Sequence, residues 1–414
     1  MIKTLTSHAV QGQVKAPGSK SYGHRALIAL ALSKGKGIID NVEISGDIMA
    51  TLKCLEDLGV DFFVQENQII LDATKFGQRR DRVLKLEESG STLRFFIPIT
   101  LLFDEVYEFR GSTALMKRPL NIYEDLFKDL DIMMYRDSLE SLVIKGKLEP
   151  GSFTMRGDVS SQFVSGMLMV MPLLSGDSTL TVTGELESAA YVNMTIDVMK
   201  EFGINVVQKN QTYYVEGNQS YCPRDYHVEG DFSQAAFFMA AGALAGDVTV
   251  TALDPSSVQG DMEIVRILKK MGADLTYTEE GYQVKRSQLR GLDIDISQIP
   301  DLAPILGIVL SLSSGGGKLL NGERLRYKES NRIEATIDLI NALGGEAKEV
   351  NDDIVIRGFE TLKGGRVSSF RDHRMVMAAA VAALRCEEPV IIEDYRAVSK
   401  SYPNFFKDLE SILK

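Results

Sequence analysis

Six times along the chain, a run of apolar and small residues gives way to a short polar turn and then to a β-branched stretch. The runs are RALIALALSKGKGIIDNV (25–42), LRFFIPITLLFDEVYEFRG (93–111), GMLMVMPLLSGDSTLTVTG (166–184), FFMAAGALAGDVTVTAL (237–253), APILGIVLSLSSGGGKLLNG (303–322) and RMVMAAAVAALRCEEPVIIED (374–394). Apolar and small residues on every side predict helices inside a bundle rather than on a surface. The β-branched stretch after each turn predicts a strand. The turns fall near Gly35, Asp104, Gly176, Gly246, Gly315 and Cys386, about 70 residues apart, which is the mark of a repeat architecture.

A second pattern follows each of the first five. IMATLKCLEDLGVDFFV, YEDLFKDLDIMMYR, TIDVMKEFGINVVQ, IVRILKKMGADLTY and TIDLINALGGEAKE each place an amphipathic helix before a turn and an alternating strand. Apolar positions at helical spacing with Gly near the end fit a helix stopped by a left-handed residue. In the sixth copy only YPNFFKDLESIL remains. Each repeat therefore reads as α-β-α-β-β in an α/β fold. Such a repeat cannot bury both faces alone, so the repeats are expected to pack with their apolar helices inside and their sheets outside. They fall into two groups of three. The Pro-bearing stretch YCPRDYH marks the division, giving one domain at 15–226 and a second from 1–14 and 230–414. Two chain crossings, near 12–16 and 225–231, are expected to act as a hinge.

Composition narrows the class. Of 414 residues, 44% are hydrophobic and 25% charged, with a formal charge of −11. That balance suits a globular cytoplasmic protein and argues against a broad nucleic-acid or anionic-membrane surface. Cys54, Cys222 and Cys386 are odd in number and widely spaced, and the four histidines are scattered. Neither a disulfide framework nor a metal centre is expected. Cys54 is expected to pack in the core. No apolar run reaches membrane-spanning length. The expected partners are small molecules, acting on a monomer without cofactor or metal.

Against this acidic background, Lys and Arg gather at helix starts beside Gly and Ser. APGSKSYGHR (16–25), ESGSTLRF (88–95), RGDVSSQF (156–163) and FRDHRMVM (370–377) all open apolar helices. Backbone N–H groups at such starts favour anions. RLRYKESNRIEA (324–335) puts Lys328, Glu329 and Arg332 within one expected helical turn. Taken singly, each string is an ordinary capped or solvated helix end. Together they describe a focused positive pocket for phosphates and carboxylates. Asp301 in QIPDLAP heads an apolar helix, as an N-cap or, beside such a pocket, as a general base. SSGGGKLL lacks phosphate-loop spacing, and no G-x-G-x-x-G follows a strand.

PGSKS, GDVSSQF, KESNR and DHRM, in this order and spacing, resemble the EPSP synthases of the enolpyruvyl transferase family along the whole chain. The resemblance implies two inverse α/β domains of three units each. It also implies transfer of the enolpyruvyl group of phosphoenolpyruvate to the 5-hydroxyl of shikimate 3-phosphate. By the same resemblance, Lys20, Ser21, Arg25, Ser160, Ser161, Gln162, Ser188, Asp301 and Lys328 contact shikimate 3-phosphate. Lys20, Gly90, Arg118, Gln162, Arg332, Arg374 and Lys400 contact phosphoenolpyruvate, and Asp301, Glu329 and Lys20 share the proton transfers. Glu88, Arg324, Ala189 and Ala190 depart from the residues many members carry there. The sister activity on UDP-N-acetylglucosamine uses a reactive Cys in a loop, which none of the three Cys here matches. A non-catalytic anion-binding scaffold is the remaining alternative, and it gives Asp301 no purpose.

Overall fold

The computed structural model describes residues 1–78 and 81–414. The chain divides into a central unit, Lys20–Val228, and a split unit made of Met1–Ser19 and Glu229–Lys414. The central unit contains α1 (Lys20–Leu32), α2 (Gly46–Asp57), α3 (Gly90–Thr100), α4 (Ser161–Val170) and α5 (Ala189–Glu201). The split unit contains α6 (Phe232–Ala245), α7 (Ala303–Ser311), α8 (Arg332–Ala342) and α9 (His373–Ala383).

The apolar runs are the buried helices. Every residue of α6, α7 and α9 is buried, as is every residue of α1 from Tyr22 onward. Ala and Gly along these helices let neighbouring backbones approach closely, and the large side chains fill what remains. Each unit has one continuous apolar core. Cys54 and the Met167, Met169 and Met171 cluster belong to the central core. Among the described residues, no helix is long and apolar enough to cross a membrane.

The sheets add a strand that the α-β-α-β-β reading lacks. Ser152–Arg156 runs parallel to Ser178–Thr183, with α4 between them in sequence. Thr212–Val215 and Val207–Lys209 complete that sheet antiparallel. The same order, a parallel pair and then an antiparallel hairpin, recurs in the other four-stranded sheets. In the sixth sheet Val390–Glu393 runs parallel to Gly365–Val367, and the N-terminal Ile2–Leu5 supplies the antiparallel edge.

Two strands trade places. Val10–Lys15 precedes α1 but pairs in parallel with Gly246–Thr251 of the split unit. Tyr226–His227 precedes α6 but pairs with Ile39 and Asp40 of the central unit. At Gly246 the first exchange is close enough that a Cβ would lie 1.7 Å from the Val10 carbonyl oxygen, so only glycine fits.

Candidate active site

In the split unit the chemistry centres on Arg332, only 1% exposed. The sequence reading placed Lys328, Glu329 and Arg332 on one helical turn. Instead α8 begins at Arg332, after an extended Asn331, and Lys328 and Glu329 lie in the loop before it. The loop still brings them together. Arg332 Nη2 donates to Glu329 Oε2 at 2.7 Å and Nη1 to Asp301 Oδ1 at 2.7 Å. Its Nε donates to Asp372 Oδ2, also at 2.7 Å.

Asp301 is not an N-cap either. It sits in a 3-10 turn, Pro300–Leu302, that leads into α7. Its Oδ1 also accepts from Lys328 Nζ at 3.2 Å, and its Oδ2 faces Arg374 Nη2 at 3.3 Å. Asp372, fully buried, does two jobs. It caps α9 through the Arg374 N–H at 3.0 Å, and it holds both Arg332 and the Ser330 hydroxyl. Lys400 closes a 3-10 turn, Tyr395–Lys400, packed on α9.

These pairs set the ionisation. Burial by itself raises the Asp301 pKa, but Arg374, Lys328 and Arg332 together hold it well below the usual carboxylate range. Burial lowers Lys328, with Asp301 opposing the change. For Arg332, burial is more than reversed by Asp372, Glu329 and Asp301, and its pKa is raised. Asp261, buried nearby, behaves differently. Burial, with Asp301 adding to it, pushes it up to about 6. The focused positive pocket read from sequence is therefore laced with carboxylates in this unit, where Lys328, Arg332 and Arg374 each face at least one.

In the central unit, α1 carries Lys20, Ser21 and Arg25. Lys20 Nζ pairs with Asp47 Oδ2 at 2.7 Å in the first turn of α2. Arg25 is buried, which lowers its pKa to about 10. It donates to Thr195 Oγ1 at 2.7 Å, to the Ser21 and Tyr191 carbonyls at 2.8 and 2.9 Å, and to Ser165 Oγ at 3.4 Å. Most of its donors thus lock α1 to α4 and α5. Ser160 caps α4 by accepting from the Gln162 N–H, and Ser161 is the first residue of that helix. Gln162 bridges Arg94 Nη1 at 2.7 Å and Ser91 Oγ at 2.9 Å, both on α3. Ser188, just before α5, is held left-handed at φ 54°, a conformation that costs about 1–3 kcal/mol and gathers at functional sites. Gly90 starts α3, and a Cβ there would meet Arg118 Nη1 at 2.6 Å. Gly90 and Arg118 are therefore in contact range, and the close approach expected of substrate is made first by a guanidinium.

Sequence reasoning missed Asp47, Asp372, Asp261, Ser91 and Arg94. DHRM and ESGSTLRF contain three of them, but an acid or Arg in a first turn reads as helix capping until its partner is known.

Comparison with known proteins agrees with this architecture. Residues 5–409 match the family model for EPSP synthase (3-phosphoshikimate 1-carboxyvinyltransferase). The 3-phosphoshikimate 1-carboxyvinyltransferase of Clostridium perfringens is 42% identical over 412 residues, covering 99% of this chain and 97% of the relative. That of Clostridium kluyveri is 44% identical over 405 residues, covering 97% and 95%. EPSP synthase from Acinetobacter baumannii shares the fold at 23% identity, with a TM-score of 0.82 over 100% of this chain and 98% of the other. With a family model spanning nearly its whole length, the chain belongs to the EPSP synthase family.

Proposed function

We propose that the chain transfers the enolpyruvyl group of phosphoenolpyruvate to the 5-hydroxyl of shikimate 3-phosphate and releases phosphate. Family membership supports the reaction, and the observation that carries the chemistry is Asp301 seated among Lys328, Arg332 and Arg374. Phosphoenolpyruvate is a weak electrophile at C2 until C3 gains a proton. The 5-oxygen then forms a bond to C2 and its proton passes to a base, giving a tetrahedral intermediate. Loss of a proton from C3 and cleavage of the C2–O bond to phosphate restore the double bond. Fixed cations stabilise the carboxylate and the departing phosphate without reorganising.

In this reading Lys20, Ser21, Arg25, Ser160, Ser161, Gln162, Ser188, Asp301 and Lys328 serve shikimate 3-phosphate. Lys20, Gly90, Arg118, Gln162, Arg332, Arg374 and Lys400 serve phosphoenolpyruvate. Asp301 as it stands is too well paired to be a strong base. Substrate phosphate and carboxylate draw on the same cations, so their arrival weakens that hold and raises the basicity of Asp301 beside the 5-hydroxyl. Glu329, the carboxylate that the loop before α8 places on Arg332, is then the proton donor to C3, with Lys20 the third participant. The protein works in the cytoplasm as a monomer on these small molecules, with neither nucleic acid nor membrane as partner; sedimentation giving anything but a single-chain mass would remove the monomer.

Asp301→Ala tests the assignment. The variant is expected to lose about 10²-fold or more in turnover, the scale of a lost general base. Near-normal turnover in a folded variant would take Asp301 out of the chemistry.

A further inference from the structure

The polar side chains of α1, α2 and α3 form a ladder, of which the reaction scheme uses only Lys20. Lys20 and His24 stand one turn apart on α1, and Asp47 and Thr51 stand one turn apart on α2, so each pair shares a helix face. Lys20 meets Asp47, and one turn further on His24 Nδ1 meets Thr51 Oγ1 at 2.8 Å. From there the ladder crosses into α3. Thr51 Oγ1 lies 2.7 Å from Thr92 Oγ1, which lies 2.6 Å from Ser89 Oγ. Ser89 caps α3 by accepting from the Thr92 N–H and immediately precedes Gly90.

His24, Thr51, Thr92 and Ser89 are each at most 1% exposed. Burial lowers the His24 pKa to about 3, so the imidazole is neutral and brings one N–H. Thr51 and Thr92 each have one hydrogen to donate and two neighbours, so one relative placement of the three helices satisfies the run. Val at either position would fill the same space without fixing that placement. Regular backbone pairing does not fix it either. The strand before Gly90 shifts register between Lys85 and Glu87, and Glu87 is left-handed at φ 52°.

We propose that Thr51 is a positioning residue for the phosphoenolpyruvate subsite. Its hydroxyl sets Gly90 against Arg118 through Thr92 and Ser89, and sets that subsite against Lys20 through His24. This rests on the reading of Gly90, Arg118 and Lys20 given above. Shikimate 3-phosphate shares Lys20 and Gln162 with that subsite, but its other contacts in the central unit, Ser21, Arg25, Ser160, Ser161 and Ser188, lie on α1, α4 and the approach to α5, so it depends less on the link.

Steady-state kinetics of Thr51→Val, Thr51→Ser, Thr92→Val and the Thr51→Val/Thr92→Val double variant test it. Thr51→Val is expected to raise KM for phosphoenolpyruvate about tenfold while KM for shikimate 3-phosphate stays within about twofold. Thr51→Ser, which keeps the hydroxyl, should recover most of the loss. The double variant should be no worse than the poorer single one, because both cut the same link. Unchanged or equally raised KM values, failure of Ser to rescue, or additive losses would overturn the proposal. If Thr51→Val does not fold, Thr92→Val against Thr92→Ser carries the same comparison. Gly90→Ala run alongside separates the premises. A phosphoenolpyruvate defect in Gly90→Ala without one in Thr51→Val rejects the positioning role alone. Its absence from both rejects the Gly90 reading too.

Discussion

Arg332 carries its charge where water scarcely reaches it, and the three carboxylates around it make that tolerable. Removing one partner of such a buried pair costs about 3–5 kcal/mol, because the remaining charge stays buried. The occupancy also bears on catalysis. On the proposed reading, a substrate carboxylate taking Nη2 would displace Glu329, its nearer partner there at 2.7 Å, and leave Glu329 beside a negative charge that favours its protonation. Gly90 is decided by similar crowding. The far end of Arg118 occupies the space a Cβ would need. Gly90→Ala should therefore push that guanidinium aside, raising KM for phosphoenolpyruvate and weakening carboxylate- or phosphonate-bearing mimics, with melting little changed. Unaltered KM and inhibition would reduce Gly90 to a residue of the helix start.

Asp261 supplies a pH test at the same scale. Its pKa rises from 3.8 to about 6 in the folded protein, chiefly by burial and then by Asp301. The native state holds this proton more tightly than the unfolded chain, so the group's contribution is complete below about pH 3.8. It is lost as pH climbs through about 6. Asp261→Asn keeps the neutral form at every pH. Its melting temperature relative to the parent should rise from pH 4.5 to 6 and level off above. A difference that is flat across that range, or that falls, would show that the carboxyl titrates normally.

At the scale of elements, small residues set how the buried helices meet. Ala378, Ala379 and Ala380 of α9 are fully buried, and α9 packs on α6 and α7. Ala379→Leu should cost about 1–3 kcal/mol through overpacking, read as a lower melting temperature with KM values unchanged. An unaltered melt would mean the bundle holds spare volume. These helices are legible in sequence because nothing interrupts their apolar character. The strand ahead of each helix is not. Ile294–Asp295 and Tyr226–His227 are two residues each, too short for alternation to register. Lys328 and Glu329 mislead for another reason, since helical spacing continues through them while the backbone at Asn331 is extended. The strings around the site are legible, but their partners are not. Asp47 and Asp372 become ion-pair members only when α2 meets α1 and α9 meets α8.

For the molecule as a whole, the two exchanged strands make each unit depend on chain that belongs, by order, to the other. Val10–Lys15 and Tyr226–His227 each sit next to a helix of the other unit in sequence; the division at 14 and 226 is legible, but which strand each pairs with is not. The candidate chemistry is divided likewise. Lys20, Arg25, Gly90, Arg118 and Gln162 lie in the central unit, and Asp301, Lys328, Glu329, Arg332 and Arg374 in the split one. Neither group by itself holds both the proposed base and all the proposed anion contacts. The most direct measurement is phosphate release from phosphoenolpyruvate by the purified protein, with shikimate 3-phosphate, UDP-N-acetylglucosamine or no acceptor. Release should track shikimate 3-phosphate consumption one for one, with only background in the other two cases. Release driven by UDP-N-acetylglucosamine, or binding of both substrates with no release, would contradict the proposed function.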